Sequence, residues 1–227
     1  MMVNMETPIP QGPPLPSHKR QRRRRRGILR DTLETLVIVA IVYFGFRAVL
    51  LPYEVDGYSM NPYLDQGERI FVSRVAYSHV DTNRLWNLLP WEDREDTHTI
   101  YLFDPPARGD IIVLHPPYAS DEPYIKRVIG LPGETVSFRD GQVLIDGVPL
   151  VEDYIEPGIT WCRRAAFCSL VVPDHSVFVL GDNRGDSTDS RMFGPVGYDQ
   201  IIGQAVFANW PFDKIGPIDS PDYYTAP

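Results

Sequence analysis

Lysine is nearly missing from this 227-residue chain: of 22 basic residues, only Lys19, Lys126 and Lys214 are lysines. Arginine keeps its proton at any ordinary pH, whereas a desolvated lysine can lose it. Candidates for a nitrogen base other than histidine are therefore few. Lys19 lies in a basic tail and Lys214 in a Pro/Gly-rich C-terminal stretch, but Lys126 stands in an apolar, strand-like run from Tyr124 to Gly130. Taken alone, it could be a remnant of arginine-biased composition or a snorkelling edge-strand residue. Cysteine is as sparse. Cys162 and Cys168, with five residues between them, cannot complete a zinc site, because no histidine lies at ligand spacing and His175 is the nearest. They form either a small-loop disulfide in an oxidising compartment or two unbridged thiols. No Gly-x-Ser-x-Gly elbow accompanies His79, His98, His115 and His175, which leaves a Ser-His-Asp triad without its usual setting. His115 and His175 read as surface polar residues. Past Leu51 no stretch has convincing helical periodicity, and no internal repeat is present.

The charge is strongly segregated. Eight basic residues fall between Lys19 and Arg30, whereas the part after Leu51 holds 27 acidic and 13 basic residues. That acidic body is unlike a nucleic-acid-binding domain. The Arg22–Arg26 run instead precedes a mostly apolar stretch, Leu33 to Leu51, about 28 Å long as a helix and just enough to span a bilayer. Arg47 is one turn from its far end, where it can snorkel, and Pro52 is expected to mark the helix exit. A cleaved signal peptide would have a shorter apolar core and a small-x-small site, which Leu51-Pro52-Tyr53 does not supply. The expected organisation is a disordered basic cytoplasmic tail (1–30), a single transmembrane helix (31–52) and an extracytoplasmic β-rich domain (53–227).

In that domain the expected strands are Arg69 to Val75, Asp110 to His115, Tyr124 to Ile129, Glu134 to Phe138, Gln142 to Ile145, Ser176 to Leu180 and Ile201 to Ala208. Asp140-Gly141 and Asp146-Gly147 suit tight hairpin turns. The fold class is mainly β, an antiparallel sheet or barrel-like body behind one N-terminal helix. A weakly patterned segment, 77–107, contains Trp86 and Trp91. It is read either as a tuck against the body or as a wedge on the membrane surface.

Four short segments carry chemistry. The first runs from Val55 through Asp56, Gly57, Tyr58, Ser59, Met60 and Asn61 to Pro62; then follow Arg108 to Val113, Tyr124 to Glu134, and Gly181 to Arg191. Together with the apolar stretch, in this order, they resemble a bacterial type I signal peptidase from about Leu33 to Pro211. That resemblance implies a membrane-anchored Ser/Lys endopeptidase with Ser59 as nucleophile and Lys126 as general base. A lysine near its ordinary pKa is only about one part in a thousand neutral at pH 7.4, so burial must lower it by several units. The resemblance gives Ser187 the role of orienting the Lys126 amine, Met60 a packing role beneath the nucleophile, and Arg127, Asp182, Asp189 and Arg191 a scaffold role. Gly57 stands where the enterobacterial form has a serine whose hydroxyl helps stabilise the oxyanion, so the Ser59 N–H must be the main donor here. Neither cofactor nor metal is implied; a calcium loop at 182–189 has its glycine at the wrong position and its charge offset by Arg184 and Arg191. The implied partners are secretory preproteins with small residues before the cut, and the lipid bilayer. A self-cleaving repressor with Ser/Lys chemistry would lack the anchor, and a decayed, purely structural module would not keep Ser59, Lys126 and Ser187 together.

Overall fold

The computed structural model describes residues 18–77, 79–81, 99–101, 104–120, 122–155 and 160–220, so Trp86 and Trp91 lie outside the described residues. The chain divides into two compact units, Met1–Phe46 and Arg47–Pro227. Helix α1 spans His18–Val49. The basic run from His18 onward is thus helical, correcting the expectation of a structureless tail: arginine and glutamine are good helix formers and extend the turn pattern of the apolar stretch that follows. Within α1, Arg30–Val49 is long and apolar enough to cross a membrane, with mean hydropathy 1.8 and none of it buried. Ile41, Val42 and Phe44 stand 66, 65 and 68% exposed. A helix apolar on its whole surface needs apolar surroundings.

The helix ends at Val49, and the chain passes directly into strand β1 (Leu50–Glu54). Pro52 is therefore not a helix exit. It sits within β1 opposite Phe71, on a strand that forms the edge of the main sheet, where a residue without an N–H is tolerated. The rest of the main sheet comes from β2 (Arg69–Ser73), β5 (Ile111–Leu114), β6 (Tyr124–Gly130), β11 (Ser176–Leu180), β12 (Val196–Gly197), β13 (Ile201–Trp210) and β14 (Gly216–Pro217). Its order is β1-β2-β13-β5-β6-β11-β12, with β14 paired to β13. A smaller sheet of β7 (Thr135–Arg139), β8 (Gln142–Ile145), β9 (Val148–Pro149) and β10 (Ser169–Val171) has order β10-β7-β8-β9. Strands β3 (His79–Asp81) and β4 (Thr99–Tyr101) pair with each other. Strand pairing is antiparallel throughout, in line with a mainly β body.

All seven expected strands are present: Gln142–Ile145 and Ser176–Leu180 have the expected limits, and the other five have ends moved by one or two residues. Both Asp-Gly turns form as expected: Asp140 and Asp146 have φ of 51° and 52°, followed by positive-φ glycines. A short helix α2 (Ser190–Phe193) is capped by the Asp189 carboxylate, which accepts from the Arg191 N–H. Cys162 and Cys168 are joined in a disulfide. One core holds Met60, Leu64, Ile70, Val72, Ile111 and Val113; a second centres on Ile129, Val136, Phe178 and Leu180; a third on Ile112, Leu114, Val128 and Val179.

Where β13 leaves β5 for β2, its register shifts at Gly203, and a Cβ there would lie 2.2 Å from the Ser73 carbonyl oxygen. The obstacle is backbone, which cannot swing aside. Gly203→Ala is expected to lower stability by about 1–3 kcal/mol, read as a reduced thermal midpoint of the full-length protein in detergent.

Candidate active site

The segment after β1 is a closed loop. Val55 donates to Glu68 O at 2.8 Å and Gly67 donates to Val55 O at 2.8 Å, tying its two ends together. Inside it, Met60 and Leu64 are 0 and 2% exposed and peg the loop into the first core. Gly57 has φ 89°, a conformation that side-chain-bearing residues adopt only with strain. The turn it permits presents Ser59 at the wall of a cleft of about 580 Å³, also lined by Tyr53, Ile70, Val113, Tyr124, Ile125 and Lys126.

Lys126 comes from β6, three strands away in the sheet. Its Nζ donates to Ser59 Oγ at 2.8 Å and to Ile125 O at 2.7 Å. Both acceptors are neutral. The lysine is 4% exposed, its partner across the sheet is Ile112, and the Tyr124 ring lies 5.3 Å from Nζ. Burial pulls its pKa down from 10.5 to about 8, against the opposing pull of Asp189 and Asp182. The pocket that a single strand could not display in sequence is thus supplied by its neighbours.

Next to it, Arg127 is fully buried and forks onto Asp182, Nε to Oδ1 at 2.9 Å and Nη2 to Oδ2 at 2.6 Å, with Nη1 on Gly109 O at 3.0 Å. Its guanidinium lies 4.6 and 4.4 Å from the rings of Tyr63 and Tyr154. Arg191 forks onto Asp189 at 2.8 and 2.7 Å, and the same carboxylate accepts from the Gly181 N–H at 3.1 Å. The structure thus joins Arg127 to Asp182 and Arg191 to Asp189, the four residues expected to form a scaffold. A third pair was not foreseen: Arg184 reaches Glu152 with both terminal nitrogens and also bonds Gly181 O and Thr160 Oγ1. Arg184 was visible in its run only as a compensating charge, and Glu152, 32 residues away, carried no sequence signal at all.

The stapled loop holds the Ser59 backbone. Asn183 N–H donates to Ser59 O at 3.1 Å, and its side-chain amide donates to Tyr58 O at 3.2 Å. A Cβ on Gly181 would meet Ser187 Oγ at 2.2 Å and Ser59 O at 2.5 Å, so only glycine lets the end of β11 approach this closely. Asn183 and Gly181 had a legible place in the motif but no legible role. Ser187 differs from the expectation: its buried Oγ has no hydrogen-bond partner among the described residues, and the expected bond to Lys126 is not among the bonds they make. The hydroxyl packs against Gly181, while the amine is already engaged by Ser59 and by the carbonyl of its own strand.

The sequence has counterparts. The sequence model of the family described as "Signal peptidase, peptidase S26" matches residues 29–210. Signal peptidase I of Leptolyngbya laminosa is 33% identical over 99% of this chain and 100% of its own length. The probable signal peptidase I-1 of Synechocystis is 34% identical over 85% of this chain and 88% of its own, and signal peptidase I S of Bacillus subtilis is 32% identical over 85% and 94%. The chain belongs to the S26 signal peptidase family.

Burying an amine has a stability signature. Between pH 8 and 10.5 the unfolded chain binds the Lys126 proton and the folded chain does not, so this group makes stability rise with pH across that window. At neutral pH the buried ammonium is a net cost. Lys126→Met is expected to stabilise the protein at pH 7 by on the order of 3 kcal/mol, an advantage that shrinks as the denaturation series is carried toward pH 10.

Proposed function

We infer that the protein is a membrane-anchored serine endopeptidase that removes N-terminal signal peptides from secretory preproteins, with Ser59 as nucleophile and Lys126 as general base. The observation that carries the assignment of roles is the 2.8 Å contact between a buried amine and a serine hydroxyl at the wall of an open cleft. With the amine neutral, the direction of that hydrogen bond reverses: Ser59 O–H donates, Nζ accepts, and the proton moves to Lys126 as Oγ attacks the scissile carbonyl. The resulting ammonium protonates the leaving amine, and the neutral lysine then takes a proton from the water that hydrolyses the acyl-enzyme. For the oxyanion, the Ser59 N–H is suitably placed on the turn made by Gly57 and donates to no acceptor among the described residues. Ser187 offers a hydroxyl with no partner among the described residues, available to steady the amine once Ser59 is acylated.

Anchoring follows from the apolar Arg30–Val49 segment. The arginine run on its N-terminal side fits a cytoplasmic N-terminus and an extracytoplasmic catalytic body at the cytoplasmic membrane. A preprotein whose own apolar segment lies in the bilayer meets a tethered protease at raised effective concentration. The family resemblance adds a preference for small residues before the cut.

Ser59→Ala and Lys126→Arg should each reduce preprotein processing by roughly a thousandfold or more while leaving the fold intact, because Arg keeps the charge but cannot act as a base. Normal processing by either purified variant defeats the assignment. The pH profile gives a separate check. As the base form is the deprotonated one, kcat/KM should rise about tenfold per pH unit below about 8 and level off above it; a flat profile from about pH 6 to 10 removes Lys126 as the base.

A further inference from the structure

Apart from the dyad lysine, the cleft carries charge of one sign. Its wall holds Glu54, Asp56, Glu122 and Asp186, and Lys126 is the one basic residue lining it among the described residues. Glu54 is paired with Arg69 at 3.3 Å in solvent. The other three are exposed. Glu122 and Asp186 bond through their backbone only, and none of the three carboxylates has an ion-pair or hydrogen-bond partner among the described residues. They contrast with Asp182 and Asp189, which are buried and forked by arginines. Asp56, Glu122 and Asp186 therefore hold no part of the scaffold.

They also come from three separate segments: the turn before Ser59, the approach to β6, and the loop that carries Ser187. An independent observation, the Ser59–Lys126 contact, fixes where a polypeptide must lie for its carbonyl to be attacked. Asp56, Glu122 and Asp186 line the same cleft as Ser59 and Lys126, so a chain that reaches Ser59 enters the space they border. Each lies in a partly solvated setting, where charge acts over several ångströms and is damped by salt.

We propose that the acidic rim formed by Asp56, Glu122 and Asp186 selects substrates by charge, favouring preproteins with a cationic residue beside the small-residue core at the cut and disfavouring those with an acidic one. This rests on the signal peptidase reading. The effect belongs to substrate choice rather than to the chemical step, since none of the three touches the reacting atoms.

The test uses full-length protein in detergent and peptides with a common Ala-x-Ala core, in which one flanking residue, before or after the core, is Lys, Gln or Glu. At low ionic strength (about 0.01 M, screening length about 30 Å) the Lys-to-Glu ratio of kcat/KM should be on the order of three to tenfold on at least one side, falling toward one at about 1 M salt, where that length is about 3 Å. The triple variant Asp56→Asn, Glu122→Gln, Asp186→Asn should lose the ratio at low salt. Because both peptides are read on one enzyme preparation, the ratio does not depend on the active fraction, and the salt series needs no variant. If the Gln peptide is cleaved but the ratio is one on both sides, or persists at high salt or in the triple variant, the rim does not select. If no peptide is cleaved, the signal peptidase reading falls and this inference falls with it.

Discussion

A buried lysine can meet a carboxylate and remain charged, or meet neutral acceptors and part easily with its proton. Lys126 takes the second course, and the rest of the site is arranged to keep it there. Its two acceptors are a hydroxyl and a peptide carbonyl. The two carboxylates that pull on it, Asp182 and Asp189, each give both oxygens to an arginine fork. Were either fork absent, a free buried carboxylate would compete for the amine and hold its proton. The scarcity of lysine then has a physical sense at this site: positions that must stay charged carry Arg, and the position that must not carries Lys. Arg127 and Lys126, adjacent on one strand, divide the two tasks.

The forks also set distances. Arg127 binds β6 to Asp182, Arg191 binds Asp189 and through it the Gly181 N–H, and Arg184 binds the same loop to Glu152. Gly181 to Asn183 then lie against the Ser59 backbone. Lys126 and Ser59 come from segments 67 residues apart, yet both are tied to one loop. Buried ion pairs of this kind add little net stability compared with apolar packing, but losing one partner costs about 3–5 kcal/mol because the other is stranded. Their use here is positional. A dyad contact within hydrogen-bond reach is useful only if thermal motion does not open it.

What could be read from the sequence follows the range of the interactions involved. Strand positions came from alternation and from the Asp-Gly turns, both local, and so Gln142 to Ile145 and Ser176 to Leu180 had their observed limits. Pro52 misled because a proline after an apolar run has two meanings, helix exit and edge strand, and only sheet order separates them. The basic run misled in the other direction, since composition says nothing about a helix already nucleated next door. At the site, Ser59 and Lys126 were legible as residues of a motif, but the apolar residues lining the cleft with them, Tyr53, Ile70 and Val113, come from other strands. The Ser187 bond was assumed from the family pattern; the amine's preference for a carbonyl one residue away could be seen only in three dimensions.

Burial separates the acidic residues around the cleft into two kinds with different physics. Asp182 and Asp189, 3 and 0% exposed, act through short contacts that salt does not reach. The rim carboxylates stand in solvent, where each contributes weakly and only while ionic strength is low. One set is bound by geometry, since moving an oxygen by an ångström breaks a fork. The other has no partner to lose among the described residues, so its charges can change with little effect on the fold they form. A single cleft can thus keep its chemistry constant through the buried set while its choice of substrate is adjusted at the rim, because the two sets share the same space and almost none of the same contacts.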